Sequence, residues 1–118
     1  MRVEQLPRLV IITYPEVCNG ETFDADYEQA CDACRQQPLP FALLHDLRAV
    51  SFVEVDRKAL MKSANDVANL GQVARVAFVL ASSPFWTNVI SGLVSTFSPV
   101  KPACVFADVA AARAWCET

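Results

Sequence analysis

Cys31-Asp32-Ala33-Cys34 has the spacing of a thiol redox pair and of half a zinc site. Redox pairs work at helix amino ends, where the dipole lowers the thiol pKa. This pair falls late in a predicted helix, near its negative end, and on that helix's apolar stripe. Packing in the core accounts for it better than thiolate chemistry does. Zinc would need two more ligands, and the chain has neither a second Cys-x-x-Cys nor a pair of histidines. No metal is expected.

His45 is the only histidine, and Asp46 follows it directly. Such a pair could do general-base work, but adjacent strand residues point to opposite faces and do not easily form one dyad. The sequence places no serine or cysteine nucleophile beside them. Asp46, Glu54 and Asp56 cluster near one predicted strand end. Grouped carboxylates can move protons or hold Mg²⁺, yet loops at strand ends are also simply acidic and solvated, which is the favoured account. Gly20, Gly71 and Gly92 are too scattered for a phosphate loop. No catalytic residue and no cofactor is assigned, and the chain is not expected to be an enzyme.

These residues sit in a chain of 118 residues, read as one domain over 1–118. It is 53% hydrophobic and 19% charged, which excludes disorder. A net charge of -3 with no basic run argues against nucleic acid. Residues 1–14, MRVEQLPRLVIITY, lack the pattern of a signal peptide. Five cysteines, an odd number, suggest reduced thiols, and the expected setting is the cytoplasm.

The positioning elements follow from patterning. Leu9–Tyr14 is a branched apolar run, hence a strand, with Met1–Gln5 as a short edge strand before it. Asn19-Gly20 marks a turn. Thr22 is the expected cap of a first helix, with Asp24 and Asp26 in its first turn and a stripe of Phe23, Tyr27, Ala30, Cys31 and Cys34. Pro38 and Pro40 end it. Phe41–Asp46 is a buried strand. A second helix starts near Asp56, with Leu60, Ala64, Val67 and Ala68 on its stripe and Gly71 at its cap. Arg75–Ala81 is a strand, and Ser83-Pro84 opens a third helix. Ala103–Phe106 is the last strand. Asp108 caps a final helix with Val109, Ala112, Trp115 and Cys116 on its stripe. The alternation of strand and helix predicts an α/β domain with a mostly parallel sheet.

The segment DLRAVSFVEVDRKAL, residues 46–60, resembles the strand-loop-helix of STAS domains. Residues 22–28, TFDADYE, together with ARVAFVLAS and VFADVAAARAW, resemble the SpoIIAA-like branch of that superfamily in order and spacing. The resemblance implies an open sheet of four or five strands with four helices mainly on one side. It also implies a binding or regulatory module, loosely linked to apolar or lipid-like ligands. Anti-sigma-factor antagonists among STAS domains are switched by phosphorylation of a serine at the second helix start. Val55 and Asp56 stand at that place here, so phospho-switching is not expected, and Asp56 reads more simply as a helix cap.

Residues 76–100 carry no charge at all. Ser82, Ser83, Pro84, Thr87, Asn88 and Ser91 lie in the middle of that stretch, so a transmembrane segment is rejected. On a helical wheel, Phe85, Trp86, Val89, Ile90, Leu93, Val94 and Phe97 cover roughly 180°, where a surface helix needs an apolar arc of about 100°. Packing on a sheet uses Phe85, Val89 and Leu93. The surplus of Trp86, Ile90, Val94 and Phe97 has three fates: cover by neighbouring helices of the same chain, an apolar pocket, or a self-association surface eased by Ser91, Ser95 and Ser98. The candidate ligand-binding set is Leu60, Val67, Trp86, Ile90, Val94 and Phe97. The first expected function is binding of an apolar small molecule or lipid; the alternative is a homodimer or protein-interaction module using the same helix.

Overall fold

Branched and aromatic residues concentrated in short runs build the centre of this protein. The computed structural model describes residues 1–37, 40–50, 52–54, 73–80 and 102–118, with backbone alone for 18–24 and 52–54. The elements are β1 (Arg2–Leu6), β2 (Leu9–Thr13), β3 (Val17–Asn19), α1 (Gly20–Arg35), β4 (Phe41–Asp46), β5 (Phe52–Glu54), β6 (Val73–Val79), β7 (Ala103–Phe106) and α2 (Val109–Cys116). Five strands form one sheet in the order β1-β2-β4-β6-β7. β1 runs antiparallel to β2 and every other pair is parallel. The result is an α/β domain with a mostly parallel sheet, as the alternation predicts.

β2 and β4 lie inside the sheet, and Leu9–Ile12 and all of β4 are buried on both faces. A strand covered twice has no need of polar alternation, which explains the unbroken runs LVII and FALL. Val10, Ile12, Leu43 and Val76 pack against Tyr27, Ala30, Cys31 and Cys34 of α1. Leu9, Ile11, Ala42, Leu44, Ala77 and Val79 pack against Ala112 of α2, with Trp115 and Cys116 at the margin. Each large apolar side chain buried this way contributes about 1.5–3 kcal/mol.

The two described helices therefore take opposite faces of the sheet. The physical reason is the sheet itself, whose interior strands are apolar on both faces. The second and third expected helices fall on residues outside those described.

Three local boundaries also differ. α1 begins at Gly20, so Thr22 lies within the helix and does not cap it. Its start is set by β3, which pairs in parallel with β5 as a separate two-stranded sheet and leads straight into the helix. That small ladder replaces the free turn expected at Asn19-Gly20. β6 starts two residues before the expected Arg75 and ends at Val79.

Other junctions follow their residues. Asp108 caps α2, its carboxylate accepting from the backbone N–H groups of Ala110 and Ala111 at 3.2 and 3.3 Å. Pro7-Arg8 turns β1 into β2, and Arg8 takes a positive φ of 61°. Gln37, buried just past α1, secures this turn. Its side-chain oxygen accepts from Arg8 N–H at 3.0 Å and its amide donates to Leu6 C=O at 2.8 Å. Arg75 stacks over Trp115 at 5.1 Å and donates to its carbonyl at 2.8 Å, tying the end of α2 to β6.

Candidate functional site

Register brings the polar residues of the sheet to one edge. Ile12 pairs with His45 and His45 with Phe78; one step on, Thr13 pairs with Asp46 and Asp46 with Val79. This is the carboxyl edge of the parallel strands, the edge at which open α/β sheets bind ligands. Strand alternation then sorts the side chains. Tyr14, His45 and Phe78 fall on the α1 face, and Asp46 falls on the α2 face.

On the α1 face, Tyr14 Oη and His45 Nδ1 are 2.7 Å apart in a buried hydrogen bond. Phe78 stacks on the imidazole, with centroids 4.9 Å apart and planes 14° from parallel. Burial pushes the His45 pKa from 6.5 down to about 4, because a charged imidazolium would lose its hydration there. His45 is thus a neutral ring at ordinary pH.

Asp46 has a different partner. Arg48 grips its carboxylate with two parallel bonds, Nε to Oδ1 and Nη2 to Oδ2, each 2.9 Å. The Arg48 backbone N–H adds a third bond to Oδ1 at 3.2 Å. The guanidinium hydrogen bonds hold this carboxyl below its usual range against the opposing effect of burial. His45 and Asp46 share no hydrogen bond, as their adjacency on a strand requires.

The remaining candidates are inert or lie elsewhere. Cys31 and Cys34 are both buried against the α1 face of the sheet, in the last turns of the helix. Burial first, and the neighbouring Cys31 second, raise the Cys34 pKa to about 12. A thiol so placed packs and does not attack. Among the described residues, no three His, Cys, Asp or Glu side chains group to hold a metal ion. Glu54 is described by its backbone only, and Asp56 lies outside the described residues. So do Leu60, Val67, Trp86, Ile90, Val94 and Phe97, the whole expected ligand-binding set.

No protein-family model and no curated protein matches the sequence. Among solved structures, the chain is similar to an uncharacterized protein of the DUF3478 family from Shewanella loihica PV-4, described as having a SpoIIAA-like fold. The two align with a TM-score of 0.61 over 98% of this chain and 90% of that one, at 18% identity. The fold is SpoIIAA-like. At that identity the likeness is one of architecture, and it agrees with the five-stranded, mostly parallel sheet.

Within the SpoIIAA-like frame, sequence reasoning missed three contacts: the Tyr14–His45 bond, the Phe78 stack and the Arg48 fork. The first two join residues 31 and 33 positions apart, and only the strand register makes them neighbours. Arg48 had a local signal, since an Asp ending a strand two residues before an Arg is within reach of its guanidinium. Among the described residues, no helix is long and apolar enough to cross a membrane.

Proposed function

We propose that this chain is a non-enzymatic binding module for an apolar or lipid-like small molecule. The observation that carries this reading is the uncharged stretch 76–100 and the apolar surplus it holds at helical spacing. The candidate lining is the set Trp86, Ile90, Val94 and Phe97 together with Leu60 and Val67, all outside the described residues. Leaving such side chains in water would forfeit about 1.5–3 kcal/mol each, which an apolar occupant recovers.

The chemistry of the polar and thiol candidates supports a binding role. His45 is neutral and hydrogen-bonded, Asp46 is neutralised by Arg48, and Cys34 is a protonated thiol. None of the three is a reactive group held in readiness. By fold analogy, SpoIIAA-like domains serve mostly as regulatory modules. The setting we propose is the cytoplasm, where an odd count of five cysteines stays reduced.

Native mass spectrometry of the purified chain tests the proposal. A co-purified fatty acid or lipid, lost in Trp86→Glu, is the expected result. A bare protein from several expression hosts counts against it.

A second reading makes the same surplus a protein-interaction surface, in the first place a homodimer. Ser91, Ser95 and Ser98 favour it, since small residues let two helices approach closely. Sedimentation at micromolar concentration distinguishes the two readings: a dimer that Trp86→Glu splits supports the interface, and a monomer throughout removes it.

A further inference from the structure

We draw no further inference here: the strongest candidate, the uncharged outer edge of β7 (Ala103–Phe106) at the end of the five-stranded sheet, carries nothing, because nothing in the structure shows what covers it.

Discussion

Lowering the pH through the range 6.5 to about 4 is expected to weaken the fold by way of His45. The folded protein holds this ring neutral until about pH 4, whereas the unfolded chain takes up the proton near 6.5. Stability from this source is therefore complete above pH 6.5. It falls as pH drops through the window and levels off below about 4, where both states are protonated. The separation is about 2.5 decades, and at about 1.4 kcal/mol per decade the loss comes to roughly 3 kcal/mol. Small domains have about 5–15 kcal/mol in all, so the change is large. Urea unfolding at a series of pH values measures it, with His45→Gln as the comparison. His45 is the only histidine, so the slope between pH 6.5 and 4.5 has one imidazole source. Asp46 acts lower: its contribution is present above the ordinary carboxylate value of 3.8 and is lost as pH falls beneath it. Parallel stability curves for wild type and His45→Gln across the upper window would refute the neutral, buried ring.

Arg48→Ala should cost about 1–2 kcal/mol in urea unfolding, because it strips two charged hydrogen bonds from a nearly buried carboxylate. The same change in an Asp46→Asn background should cost clearly less, and equal costs would show the pair to be uncoupled. Leu44→Ala, at a fully buried position of β4, should cost about 2–5 kcal/mol by the same measurement. Iodoacetamide at pH 8 should leave Cys34 unlabelled in the native protein and label it in urea, read by mass spectrometry of peptides; native labelling would contradict its raised pKa.

The sequence shows the interior of this fold more plainly than its edges. β4 has the predicted bounds because FALLHD is buried along its whole length and Pro40 precedes it. Asp108 announces α2 because a cap is a local interaction, settled within three residues. β3 and β5 are invisible in the same reading: three residues show no period, and each strand exists only through the other. α1 starts earlier than Thr22 for a related reason: Thr22 is an ideal cap by type, but β3 delivers the chain into the helix at Gly20. At the candidate site, adjacency alone separated His45 from Asp46. Joining His45 to Tyr14 required the β2–β4 register, which no short window contains.

β1 differs from the strand it covers. It reads RVEQL, with Arg2 and Glu4 paired at 3.1 Å on its exposed side, beside the wholly apolar LVII of β2. Were β1 to peel away, β2 would present a bare row of backbone donors and acceptors lined with large apolar side chains. That is a template on which further copies of the chain would add strand by strand into fibres. The charged hairpin strand thus acts as a shield: its hold, through Gln37 on the Pro7-Arg8 turn, keeps the domain from seeding its own aggregation.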